Sequence, residues 1–195
     1  AINMETKFDI KNLAGNIDQI DLNKEIVKLK EIKLSNSDSE ILFGKTTREH
    51  TFDNITDTVN SSMNWKVSLD KLSIENTNVW YKDDNQPRTD GIDYFNLKLT
   101  DLAGAMDDIY YSSDSISGNL KGLSVADHSG FQLRQLKGDF IYTNSGARIK
   151  DLLLETPNTL IRDQIEISYP SLEAVSEDPS SMTINANIKN SHIDM

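Results

Sequence analysis

The sequence predicts an all-β chain, either a closed sandwich or barrel or an elongated, open or repetitive sheet. Short apolar–polar alternations follow one another along the chain, each cut off by Gly, Asn, Asp or Ser. Helical periodicity is scarce. An apolar residue, one spacer, a second apolar residue, two spacers and a third apolar residue recur from one end to the other.

In chain order, TKFDIKNL, GNIDQIDL, IVKLKEIKL and DSEILFG read as the first strands. Their Val and Ile suit pleated packing, and the polar spacers can face water. Residues 45–63 are the least regular portion of the first half and read as a loop with one short helical turn around Phe52 to Val59. The strand signal resumes at WKVSLDKLSIENTNVWYKD and stops at DNQPRTDG. There Pro87 removes a backbone donor and Gly91 tolerates a positive φ, so the chain should turn. IDYFNLKLTDL, AMDDIYYS, SISGNLKGLSV, GFQLRQLKGDFIYT, GARIKDLLLET, NTLIRDQIEISYP and MTINANIK follow. Roughly a dozen strands result, mostly antiparallel neighbours, because many connections are too short for a crossover helix.

The recurring spacing falls at Phe8, Ile10, Leu13; at Val27, Leu29, Ile32; and at Val67, Leu69, Leu72. It returns at Leu97, Leu99, Leu102; at Phe131, Leu133, Leu136; and at Ala147, Ile149, Leu152, with Leu120 and Leu123 repeating its second half. Strict alternation would turn each third member to the opposite face. The spacing therefore predicts bulges or bends that hold the apolar residues on one shared surface. A sandwich in which both inner faces find partners accounts for the same spacing.

The chain has 195 residues, enough for one ordinary domain. It begins without an initiator methionine and stops shortly after MTINANIK, so residues 1–195 are expected to form one segment of a longer repetitive β-groove protein. Hydrophobic residues make up 37% and charged residues 26%, with two Trp, six Tyr and six Phe. That mixture excludes a membrane helix bundle and a simple disordered tail. A net charge of −11 argues against wrapping nucleic acid, which needs concentrated positive surface. Exposed carboxylates also discourage edge pairing in a strand-rich chain. Without cysteine there is no disulfide, thiol nucleophile or thiolate metal site.

Catalytic signals are weak. The pairs Asp83, Asp84 and Asp107, Asp108 are adjacent, and strand neighbours face opposite ways, so neither pair can easily flank one bond. His50, His128 and His192 share no metal-ligand spacing. There is no GxSxG elbow, and Gly118 to Gly122 reads GNLKG rather than a phosphate-binding loop. The acidic words around Ser35 to Glu40 and Ser112 to Ser115 are broken by strand residues, against the six to eight converging oxygens calcium takes. The aromatics Trp80, Tyr81, Tyr94, Phe95, Tyr110, Tyr111, Phe140 and Tyr142 fit sheet packing better than base stacking. The expectation is a non-enzyme without cofactor or metal.

One long stretch carries more specific words. From Trp65 to Leu102 the chain has a strand pair followed by Gly91, Ile92, Asp93 and a strand with Leu97 and Leu99. Ser129, Gly130, Phe131 then form an SGF step. Glu155, Thr156, Pro157 form a TP turn, and Ser168, Tyr169, Pro170, Ser171 close a further strand. Over residues 65–172 this order resembles the N-terminal periplasmic region of the TamB-like translocation and assembly proteins of Bacteroidetes, within the AsmA-like superfamily. The resemblance implies an envelope protein of a Gram-negative bacterium, anchored in the inner membrane by a helix outside this fragment and extending through the periplasm. It implies an elongated, curled antiparallel sheet forming an open apolar groove, with a closed β-sandwich as the alternative, and a conduit carrying phospholipid between inner and outer membranes, or support for outer-membrane protein assembly beside an Omp85-type barrel. Expected partners are phospholipid acyl chains, that barrel and neighbouring β segments of the same protein.

On this reading Trp65, Val67, Leu69, Leu72 and Ile74 contribute to one rung of a lipid groove, Leu97, Leu99 and Leu102 to a neighbouring rung, and Leu152 and Leu154 extend the surface if strand order follows chain order. Two rivals remain: a protein-interaction module that offers a sheet edge, and a carbohydrate-binding sandwich using Trp80, Tyr81 and the DDNQPRTDG loop.

Overall fold

The computed structural model describes residues 4–44, 64–171, 174–175 and 178–193. The helical turn expected around Phe52 to Val59 lies outside the described residues.

Among the described residues twelve strands form one sheet. They are β1 (Met4–Asp9), β2 (Asn12–Asp21), β3 (Ile26–Ser35), β4 (Asp38–Phe43), β5 (Lys66–Asp83) and β6 (Asn96–Tyr111). After them come β7 (Ser115–Asp127), β8 (Gln132–Thr143), β9 (Gly146–Glu155), β10 (Thr159–Ser168), β11 (Thr183–Ile188) and β12 (His192–Ile193). From β5 to β11 spatial order follows chain order, and every neighbouring pair is antiparallel. The sheet is open and curled rather than closed into a sandwich, so the alternative fold falls away.

The sheet departs from the sequence reading in two places. The first four strands form one long hairpin with a break in each arm: β2 pairs with β3, and β1 pairs with β4. Strands β3 and β4 then lie parallel to β5, a seam that interrupts the antiparallel order. Such a seam requires a long return connection, and residues 45–63 fall at that point in the chain. The stretches LKLTDL and AMDDIYY also join into a single strand, β6.

The expected bends are present, and their chemistry is specific. Asp101 (φ 54°) immediately precedes Leu102, and Asp151 (φ 50°) immediately precedes Leu152. Each Asp holds a left-handed conformation just before the third member of a recurring pattern. Asn and Asp tolerate that region better than other residues with a side chain. A residue so placed inside a strand re-aims the side chain that follows it. Asn36, Asn76, Asp108 and Asp163 also have positive φ within the sheet or at its breaks. Gly138 (φ 152°) sits where the β8–β9 register slips. Gly91 takes φ 80° in the turn between β5 and β6, as its sequence context predicts.

The sheet has little interior. Leu69 and Leu152 are the only buried hydrophobic residues among those described, at 8% and 6% exposure.

Candidate functional site

Directly paired residues on neighbouring strands project to the same side of a sheet. The pairings therefore trace rows across the molecule. One row runs Ile20, Val27, Val67, Tyr111, Ile116, Tyr142, Ala147, Ile167, Ile184. It crosses β2, β3 and every strand from β5 to β11, and no member is charged. Nine strands at ~4.8 Å spacing make it ~38 Å long.

The adjacent row continues the pattern: Ile17, Leu29, Leu69 and Ile109 on one side, then Phe140, Ile149, Ile165 and Ala186. Gly118 stands between the two halves, and a Cβ there would meet the Phe140 ring at 3.3 Å and Ile109 Cγ1 at 3.5 Å. A further row joins Leu13, Leu34, Ile74, Gly104, Leu123, Leu136, Leu154 and Ile161. The intervening side of β3 to β10 is different in kind, with Lys28, Ser68, Tyr110, Ser117, Ile141, Arg148 and Glu166 in register.

These rows locate the residues expected from sequence. Val67, Leu69, Leu72, Ile74 and Leu154 all stand in apolar rows, and Leu72 pairs with Ile32 and Met106. Leu154 reaches the Ile74 row through Leu136, Leu123 and Gly104, because strand order here does follow chain order. Leu152 is the most buried apolar residue among those described and pairs with Asp163. Trp65 is half-buried one residue before β5.

The grouping into two neighbouring rungs needs correcting. Rungs run across strands rather than along one, so Val67 to Ile74 belong to successive rungs. Leu97 and Leu99 pair with Tyr81 and Val79, and Leu102 with Thr77, in the far half of β5. The residues beside Val67 to Ile74 are Gly104 to Tyr111. Antiparallel pairing of two long strands imposes this reversal.

Sequence reading missed Tyr111, Ile116, Tyr142, Ile167 and Ile184 as members of the longest row. Tyr111 and Tyr142 stood among aromatics read as packing, and only the register shows that they share a row with Val67. Trp80 alternates with Val79 and so faces the other way, where the Lys98 ammonium lies 4.6 Å from its ring centre.

The apolar face has no second layer of described side chains over it. Ile116 is 38% exposed and Ile184 57%. No described hydrophobic residue is less than 6% exposed.

No family model, curated protein or solved structure matches the chain. The apolar face is thus the feature from which a function must be argued.

Among the described residues the other candidates do not assemble into a site. Among the described residues no group of three or more His, Asp or Glu side chains is placed to hold a metal. His128 Nδ1 is 3.2 Å from Asp127 Oδ1, and His192 lies in β12. His50 is outside the described residues. Asp127 organises the β7–β8 connection. Its carboxylate accepts the backbone N–H groups of Lys98 at 2.9 Å and Ser129 at 2.9 Å. Burial works against its charge, but hydrogen bonds from the Ser129 hydroxyl and N–H, the Lys98 N–H and His128 outweigh it, holding the carboxyl at a pKa of about 2.

Proposed function

We propose that this chain is a non-enzymatic segment of a TamB-like periplasmic protein, and that its apolar face forms part of a hydrophobic conduit for phospholipid between the inner and outer membranes. The observation that carries the proposal is the uncharged row from Ile20 to Ile184 across nine strands, with no second layer of described side chains over it.

An acyl chain in water costs about 0.8 kcal/mol per exposed methylene, so a long apolar surface removes much of the cost of moving a lipid between bilayers. One leaflet's hydrocarbon is about 15 Å deep, half the ~30 Å core. A ~38 Å row therefore exceeds the length of one such chain. The opposite face, with Lys28, Ser68, Arg148 and Glu166, suits water. An apolar–polar sheet of this kind keeps lipid tails on one side while its other side stays solvated.

Native mass spectrometry of the gently purified protein tests the proposal. Phospholipid should co-purify, and Ile116→Asp should reduce its recovery at least severalfold without changing the circular-dichroism spectrum. Ile116 is the better position than Leu69, because Leu69 is 8% exposed and its replacement would weaken the sheet itself. Protein free of lipid, together with no labelling of Ile116 or Leu99 positions by a photo-crosslinkable phospholipid, removes the proposal.

A further inference from the structure

Glycines on the apolar face follow a rule inside the sheet: each makes room for a large side chain from a neighbouring strand. A Cβ at Gly104 would come within 3.1 Å of Leu123 Cδ1. At Gly118 it would meet Phe140 at 3.3 Å, and at Gly138 it would meet Ile149 Cγ1 at 2.9 Å. Gly15, which pairs with Ile32 in the apolar row of Leu72 and Met106, breaks the rule. A Cβ there would approach only the Glu31 carbonyl oxygen, at 3.9 Å. Gly15 lies on β2, and the side from which a filling residue would come is the strand's free edge.

The sequence around Gly15 repeats where that edge is covered. Leu13, Ala14, Gly15 correspond to Leu102, Ala103, Gly104, and the match extends to Asp18 and Ile20 against Asp107 and Ile109. Strand β6, which carries the second copy, has β5 on one side and β7 on the other, and β7 supplies Leu123 to Gly104. Strand β2 has β3 on one side and no described strand on the other. Its apolar residues are correspondingly bare, with Leu13 62%, Ile17 59% and Ile20 55% exposed. Strand β2 carries no Lys, Arg or Pro, and its two carboxylates are engaged within the chain, Asp18 with Lys30 at 3.3 Å and Asp21 with Lys24 at 3.6 Å.

We infer that the free edge of β2 is an interaction surface for an extended, β7-like partner strand, antiparallel to β2, which places a leucine or similar side chain over Gly15. Such strand addition draws affinity from backbone hydrogen bonds and specificity from alternate side-chain positions. The β6–β7 pairing is the internal precedent for the orientation and for the leucine. A second copy of this chain fits less well. Its exposed edge strand β11 has six residues against ten in β2, and its central apolar residue is Ala186.

The experiment uses the full chain and a fluorescent peptide of the β7 sequence, SISGNLKGLSVAD, read by anisotropy. Saturable binding is expected. Gly15→Val should weaken it at least tenfold by filling the space, and so should a peptide with its second leucine changed to alanine. Ala14→Val, on the opposite face, should leave binding unchanged, and matching thermal melts confirm that both variants fold. Absent saturable binding, or equal binding by Gly15→Val and the unaltered chain, overturns the inference. Concentration-dependent self-association in sedimentation that Gly15→Val abolishes also overturns it, making a second copy the occupant.

Discussion

The side-chain amide of Asn76 donates a 2.7 Å hydrogen bond to Asn36 Oδ1, and both residues hold left-handed backbone, at φ 44° and 52°. The two strands kink together across the parallel seam. The residues that follow, Ser37 and Thr77, are both buried and donate to the carbonyls two residues back, at 3.1 Å and 3.2 Å. Pairing is in constant register along the whole seam, from Ile26 with Lys66 to Phe43 with Asp83. A shared bend thus keeps two long arms in step where one kink alone would slip them.

Asn76→Ala should therefore cost about 1–2 kcal/mol, combining left-handed strain on a residue with a Cβ and one lost hydrogen bond. Asn76→Gly should cost less, since glycine keeps the backbone without the strain. Thermal melts of both variants check this. Equal losses would show that the side-chain bond, rather than the backbone conformation, holds the bend.

Much of this was legible in the sequence. The spacing of Val67, Leu69, Leu72 and its copies forecast strands bent onto one face, and Leu154 fell in the row with Ile74 as chain order required. The parallel seam was not legible, because pairing direction depends on the path of residues 45–63, and their composition does not specify a path. The repetition of VKLKEIKLSNSD as VSLDKLSIENTN is the signal that could have revealed it, since matched kinks favour side-by-side alignment. The partners of Leu97 and Leu99 were hidden for a different reason. Register in a bulged sheet shifts one residue at a time, as at Thr77 and Asp163, and sequence spacing does not count those shifts.

Asp127 makes stability depend on acid. Its folded pKa of about 2 lies below the usual carboxylate value, so the group contributes stability that is full above the unfolded pKa of about 3.9 and is lost as pH falls through the folded value. The side chain is 1% exposed, and the shift corresponds to about 2 kcal/mol. Asp127→Asn should lower stability at pH 7 by roughly that amount and flatten the stability profile between about pH 5 and pH 2. Urea unfolding across that range measures it, and parallel profiles for the two proteins would contradict the assignment.

Gly138→Ala tests the bend in β8. The backbone stands at φ 152°, and a Cβ would approach the Lys150 carbonyl oxygen to 2.8 Å as well as the Ile149 side chain. A carbonyl within a paired strand has little room to retreat. A loss of about 2–3 kcal/mol is expected from strain and crowding together. Gly122→Ala, with open space around its Cβ, should cost under about 1 kcal/mol by chemical denaturation.

A sheet with one open apolar face should also have an unusual heat capacity. The heat-capacity increment of unfolding reports newly exposed apolar surface and is about 12–15 cal/mol/K per residue in globular proteins. Here Ile17, Ile116 and Ile184 are already well exposed when folded, so unfolding adds less, and calorimetry should return a value below about 12. A short-chain phospholipid held below its micelle concentration binds only the folded face, so it should raise both the melting temperature and the increment. An ordinary increment that lipid leaves unchanged would mean that the apolar rows are covered in solution, and the conduit would lose its surface.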